Sequence, residues 1–319
     1  QQELKKLVSL RKEQNELIES IPEIMVMDEV KEKRTTYLLE RGAYDAHGEE
    51  VTEGTIEAIL EFSDKFPKNR LGLTQWLFSE KNPVTARVVV NRIWQSYFGE
   101  GLVTSTADFG NQGKLPSHPE LLDWLAADLI ENNWDLKRLQ KQIVMSAAYR
   151  QSSITSPELK EIDYDNTLIS RGPSSRLSAE MMRDNALASS GLLVDKIGGE
   201  SVKPYQPTGL WRVNGSSYRQ DKGEKLYRRS MYTYWKRTVP PPTMNTFDAP
   251  TRSYCVVKRQ KTSTPLQSLA LLNDPQFVEA SRIIAQESSA KANELDEQIN
   301  YIFRSFTSKT PGGDELNLL

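Results

Sequence analysis

Along residues 82–98 the apolar positions Val84, Val88, Val89, Val90, Ile93, Trp94, Tyr97 and Phe98 cover most of a helical circumference, and Arg87, Asn91 and Gln95 recur at four-residue spacing as one polar ridge. So apolar a helix belongs in an interior, and its ridge must then be paired internally or face a polar cleft. Asn82-Pro83 supplies a cap and then a proline at the first helical position, where the missing N–H costs nothing, and Gly99 stops the helix. Leu121, Leu122, Trp124, Leu125, Leu129 and Ile130 predict a second helix over 119–132, opened by a Ser117–Glu120 capping box. Asp135 caps a third, 136–149, with Leu139, Ile143, Val144 and Ala147 facing inward. Thr264-Pro265 and Asp274-Pro275 repeat the cap-then-proline device, predicting helices over 265–272 and 275–288 ahead of a last one over 293–306.

The remaining pattern is weaker. Leu4, Leu7, Val8, Leu17 and Ile18 share one side of an amphipathic arm over residues 3–20, whose polar side carries both signs of charge, so it reads as a packing helix and not a membrane-surface one. Residues 21–40 alternate as two short strands, turn formers gather over 42–54, and residues 70–79 form a short helix. Residues 156–175 read as a polar loop, Ser178 caps a helix ending at Gly191, and Gly198-Gly199 marks a break. The chain opens inside a helical pattern without an initiator Met, which predicts a piece of a longer protein.

Charge alters this picture after residue 202. Residues 203–261 hold thirteen Lys/Arg against three Asp/Glu, together with nine aromatic residues, while the whole chain of 319 residues carries a net charge of −2. General nucleic-acid binding is therefore disfavoured, and any electrostatic recognition is local. Within this segment RRSMYTYWKR, residues 228–237, alternates as a strand, with Tyr232 and Tyr234 on one face and Met231, Thr233 and Trp235 on the other, until Pro240-Pro241-Pro242 ends it. The predicted fold is mainly α: a multi-helix globular body with a small β-containing basic segment. The arm takes residues 1–20 and a single domain residues 21–319, within which the helical body takes 67–200 and 262–306 and the basic aromatic-rich segment 203–261.

No apolar run reaches the roughly 20 residues that span a bilayer. A single cysteine, Cys255, excludes an internal disulfide and any CxxC or CxxCH site, and with no histidine near it in sequence it reads as a buried structural thiol. His47 and His118 are the only histidines, so a metal centre would need carboxylates such as Asp108, and His118 reads instead as part of a helix start. No nucleophile elbow, zinc-protease, phosphate-loop or dinucleotide pattern is present. Asp108 and Asp123 could form a glycosidase pair, though with 43 acidic residues available that pairing says little.

The blocks NPVTARVVVNRIWQSYFGEGLV, DFGNQGKLPSHPELLDWLA, IVMSAAYRQSS, RLSAEMMRDNALASSGLL, RRSMYTYWKR and FDAPTRSYCVVKRQKTSTPLQSLALLNDPQFVEA, in this order, resemble the PSD domain family, domain of unknown function 1553. The resemblance covers residues 27–284. It implies the C-terminal part of a larger exported protein of planctomycete type, periplasmic or at the cell surface, that carries companion domains and often a cytochrome c module. Haem c would then sit in a separate domain, and this chain would hold no cofactor of its own. Three positions depart from the family pattern: Ser96-Tyr97 replaces paired histidines, Ser253 an acidic residue and Ser263 an asparagine.

The candidate binding residues are therefore Arg228, Arg229, Tyr232, Tyr234, Trp235 and Arg237 of the basic segment, with Arg87, Asn91 and Arg92 of the ridge helix and Asp108 and His118 of the linker. Arginines beside exposed rings can hold carboxylate or sulfate while the rings stack on sugars. The expected function is a non-catalytic interaction domain that docks other domains of its parent, or an anionic partner or glycan. The alternative is a hydrolase acting on polyanionic polysaccharide with paired carboxylates. The competing structural reading is that the basic segment neutralises the acidic helical body, with any chemistry placed where the Asp108–His118 linker meets it.

Overall fold

The computed structural model describes residues 2–215 and 217–319; Gln1 and Ser216 lie outside them. The described residues form two compact units, 1–85 and 86–319.

The first unit opens with helix α1 (Gln2–Ser20), none of whose residues is buried. Residues 21–35 have no regular structure, so the first strand expected there is absent: this stretch is fully exposed and has no partner to ladder with. The hairpin forms one step later. Strand β1 (Thr36–Leu39) pairs antiparallel with β2 (His47–Val51), which falls in the segment read as turn, and the ring of Tyr37 stacks on His47 at 4.5 Å. Helix α2 (Arg70–Leu77) is capped by Asn69 and buries Trp76, whose Nε1 donates to the Leu60 carbonyl at 2.8 Å. Gly72 is required here, because a Cβ would lie 1.8 Å from the Pro67 carbonyl oxygen.

The second unit is helical. Helix α3 (Thr85–Phe98) starts where the Asn82 side chain accepts from the main-chain N–H groups of Val84 and Thr85, and it stops at Gly99 with φ +88. Helices α4 (Pro119–Glu131) and α5 (Leu136–Met145) pack on it, and Val90, Trp94, Leu122, Leu125, Leu129, Leu139 and Ile143 make one core. Two local expectations fail. The residue before Pro119 is His118 with no side-chain cap bond, because Ser117 is drawn away: its N–H and hydroxyl both donate to the Leu102 carbonyl, at 2.8 and 3.3 Å. The third helix is broken at Ser146, whose backbone turns extended and whose hydroxyl then caps α6 (Ala147–Arg150).

Residues read as polar loop contain the short helix α7 (Pro157–Ile162), capped by Ser156. Helix α8 (Ala179–Ser189) is capped by Ser178 and followed by Gly191 at φ +69. Among its described residues the basic segment forms no strand. Residues 228–237 instead run through tight 3-10 turns and touch neighbours by isolated bridges, Val194 to Arg228 and Val202 to Thr233. Burial there repeats every three residues, with Ser230 and Thr233 buried and Met231 and Tyr234 exposed, which is the period of a 3-10 turn and parts Met231 from Thr233, expected on one face of a strand. After the prolines come α9 (Pro242–Thr246), α10 (Pro265–Asn273), α11 (Pro275–Lys291), α12 (Leu295–Thr307) and α13 (Gly313–Leu318). Thr264 with Gln267 closes a capping box on α10, and Asp274 caps α11. Ala179, Ala186 and Ala280 let α8 and α11 approach closely, with Met244, Phe247 and Phe277 filling the second core. The fold is mainly α, and its small sheet is the hairpin at residues 36–51.

Candidate functional site

A cleft of about 750 Å³ opens in the second unit between residues 104–108 and residues 245–260. The first wall is fixed from below by Asn91, which is fully buried: its Oδ1 accepts from the Val103 N–H at 2.8 Å and its Nδ2 donates to the Val103 carbonyl at 3.0 Å. One side chain thus supplies both halves of a strand-like pairing. Beyond it Ser105 accepts from the Lys114 N–H and donates to the Asp108 carbonyl, both at 2.8 Å, and Asp108 accepts from the Gly110 N–H at 2.8 Å. Gly113 closes this turn, since a Cβ there would lie 2.2 Å from the Asp108 carbonyl oxygen.

The second wall follows α9. Phe247 and Ala249 are buried, which holds Asp248 between them at φ +63. Its carboxylate accepts from Arg176, from the Thr262 N–H at 2.8 Å and from the Thr262 hydroxyl at 2.9 Å. Burial pushes that carboxyl up, but the Thr262 and Arg176 donors outweigh it and hold it below the ordinary aspartate range. Lys258 donates to both oxygens of Glu100 at 2.7 Å, and Arg259 to Glu180 at 2.7 Å. Glu180 also ends below its usual range, because Arg259 and its own main chain overcome the effect of burial. Lys261, beside this wall, is pushed down by burial and by Arg176. The remaining polar lining is hydroxyl, amide and ring, from Thr104, Ser105, Asn245, Thr251, Gln260 and Tyr254, a residue 72% exposed, and Ala107, Ala249, Pro250, Val256 and Val257 add an apolar part. Cys255 also lines the cleft and is exposed, so it is not the buried thiol expected from the sequence; the segment around it has no core to enter.

Of the candidate binding residues named from the sequence, Asp108 alone lines this cleft. Arg228 is 5% exposed and donates to the carbonyls of Lys196 and Gly198 at 2.6 and 2.7 Å, over the ring of Tyr232. Tyr232 in turn accepts from the Gly198 N–H at 2.8 Å. Arg229 sits 3.9 Å from Asp184, and Tyr234 lies under the Lys203 ammonium and against Trp211. Trp235 donates to the Thr251 carbonyl at 3.1 Å, below Arg252, and so braces the cleft wall from behind. Arg237 and Arg92 are exposed. Arg87 pairs with Asp123 at 2.6 Å, which raises the arginine and lowers the aspartate through their shared hydrogen bond. Asp123 is thereby committed to a partner outside the cleft lining. His118 contacts Ser117 at 3.0 Å.

The sequence reading missed Asn245, Asp248, Thr251, Tyr254, Lys258 and Arg259. For the last four the signal was present as a stretch without period between Pro250 and Pro265, where loop residues carry function more often than helix faces do; Asn245 and Asp248 lie before it and carried no such signal. Among the described residues no group of three or more His, Cys, Asp or Glu is placed to hold a metal, and no helix is long and apolar enough to cross a membrane. A family model described as PSD1, protein of unknown function (DUF1553), matches residues 69–319. No curated protein matches the chain, and no solved structure does.

Proposed function

We propose, for a chain that belongs to the PSD1 family, that this is a non-catalytic interaction domain of a larger exported protein and that its cleft takes a polyhydroxylated, glycan-type ligand. The observation that carries the reading is the chemistry of the lining. Hydroxyl and amide groups from Ser105, Asn245, Thr251 and Gln260 stand with the open ring of Tyr254, while Lys258 and Arg259 are already paired with carboxylates. Neutral hydrogen-bonding groups beside an exposed ring suit a sugar, whose faces are apolar and whose rim is hydroxyl. Association with a cytochrome c module rests on the family resemblance alone.

A hydrolase of polyanionic polysaccharide is the second reading, favoured by the presence of two carboxylates, Asp108 and Asp248, in one cleft. A glycosidase acid must hold its proton near neutral pH. Asp248 is tuned the other way, by donors that stabilise its charge. The test is titration of the full chain with neutral, uronic-acid and sulfated oligosaccharides, followed by product analysis. Binding of at least one class without cleavage, weakened about tenfold or more by Tyr254→Ala and by Asn245→Ala, is expected, each tenfold corresponding to about 1.4 kcal/mol. Cleavage products would establish the hydrolase instead; no binding, or binding indifferent to both variants, would remove the cleft from the account.

A further inference from the structure

Residues 250–263 make no hydrogen bond from main chain to main chain with any described residue, although they form most of one wall of the cleft. Side chains alone hold them. At the base, Asp248 clasps Thr262 through its N–H and hydroxyl, so the two ends of the segment meet as in a compact Ω-loop, and Gln267 donates to the same hydroxyl at 3.1 Å. On the first leg Trp235 donates to the Thr251 carbonyl and lies under Arg252, which itself stands at φ +62. On the second leg the two ion pairs Lys258–Glu100 and Arg259–Glu180 reach back to the helical body. Between these legs Ser253, Tyr254 and Cys255 are exposed.

We propose that residues 253–260 are a strap over the cleft, hinged at Arg252, clasped at Asp248–Thr262 and latched shut by Lys258–Glu100 and Arg259–Glu180. The inference rests on the cleft being a binding site, and supplies the way in. The base is the firm part, because Asp248 collects three donors in partly buried surroundings. The latches are the weak part. Lys258, Glu100 and Arg259 each expose over two-fifths of their side chains, and ion pairs in such places are screened by salt and broken at little cost. No ladder opposes opening, so the two latches set the equilibrium.

The exposed Cys255 is the chain's only cysteine and sits on the strap, so it takes a spin label directly, with a second label at Glu131→Cys on α4. Electron–electron distance measurements on the full chain should give one narrow distribution at low salt. A second, displaced population should appear in ~1 M NaCl, where the screening length falls to about 3 Å, and at low salt in the double variant Glu100→Gln/Glu180→Gln. Exchanging the charges of one latch in the otherwise unaltered chain, Lys258→Glu with Glu100→Lys, should keep the single narrow distribution at low salt. Identical narrow distributions in every sample would overturn the strap, as would a broad one in the unaltered chain at low salt. A circular-dichroism spectrum unchanged in the double variant shows that the displaced population is not unfolding. No ligand enters this experiment, so a strap that moves while no oligosaccharide binds refutes the glycan reading alone.

Discussion

Replacing Asn91 with Leu should destabilise the second unit by about 3–5 kcal/mol. Asn91 has no exposed surface, and its carboxamide satisfies both the N–H and the carbonyl of Val103, itself 3% exposed. Leucine is close in volume, so the cavity contribution is small; the cost is two main-chain groups left buried without partners, at about 1–3 kcal/mol each. Crowding adds to it, because a Cβ built on Gly101 already falls 2.7 Å from the Asn91 Nδ2, leaving no slack for a branched side chain to find a new rotamer. For a unit of this size 1 kcal/mol lowers the melting temperature by roughly 2–4 °C, so a drop of about 10 °C is expected in calorimetry. The local readout is sharper: the Val103 amide, whose acceptor is removed, should lose exchange protection by a larger factor than amides in α4 and α5. Exchange of Arg92, the exposed neighbour on the same helix, for Ala should change stability by less than about 0.5 kcal/mol. If Asn91→Leu melts within 2 °C of the parent, roughly the shift one half of 1 kcal/mol would give, the bidentate bond is not what fixes the cleft's first wall.

Two further perturbations test the other side of the unit. Arg183 is 5% exposed and donates to Gln276, to the carbonyls of Leu226 and Arg228 and to Ser230, so Arg183→Met should cost about 3–5 kcal/mol by chemical denaturation; a cost below about 1 kcal/mol would contradict the clamp role. Asp248 has its carboxyl below the ordinary aspartate value of about 3.9 because Thr262 and Arg176 donate to it in spite of burial. Its folded-state value being the lower one, its contribution is present above the ordinary value and is lost as pH falls through the folded one. Acid unfolding should therefore be less steep below pH ~4 in Asp248→Asn than in the parent, and parallel acid profiles would refute the assignment.

How much of this was legible in the sequence depends on the range of the interaction. Caps act within three residues, and Asn82, Asp135, Ser178, Thr264 and Asp274 were all readable, together with the stops at Gly99 and Gly191. Ser117 misled because a partner fifteen residues away, the Leu102 carbonyl, outbid the local cap. The helix break at Ser146 was invisible since apolar period continues through it into Ala147 and Tyr149. The family, too, could be read from ordered blocks. That the Asp108 end of the linker meets the basic segment was also readable, but the residues that line the cleft were not, because its wall is made by a segment with neither period nor main-chain pairing, placed by two ion pairs to residues roughly 80 and 160 positions away.

The concentration of cations in residues 203–261 acquires a different meaning from this arrangement. A segment that folds by turns instead of ladders leaves carbonyls pointing inward with no amide to meet them, and each must find a donor. Guanidinium groups offer five N–H bonds in a fixed plane and can collect several carbonyls at once. Arg228 gathers those of Lys196 and Gly198, Arg183 those of Leu226 and Arg228, and Arg171 those of Asp163 and Tyr164. Lys225, Lys258 and Arg259 meanwhile neutralise Glu200, Glu100 and Glu180. Within the segment Arg228 thus replaces missing sheet hydrogen bonds and Lys225, Lys258 and Arg259 bind it to its acidic surroundings, while Arg183 and Arg171 collect carbonyls from outside it. This is why alanine at Arg228 would report on folding and not on recognition, and why tests of recognition belong at Tyr254 and Asn245, whose side chains line the cleft and hold no other element in place.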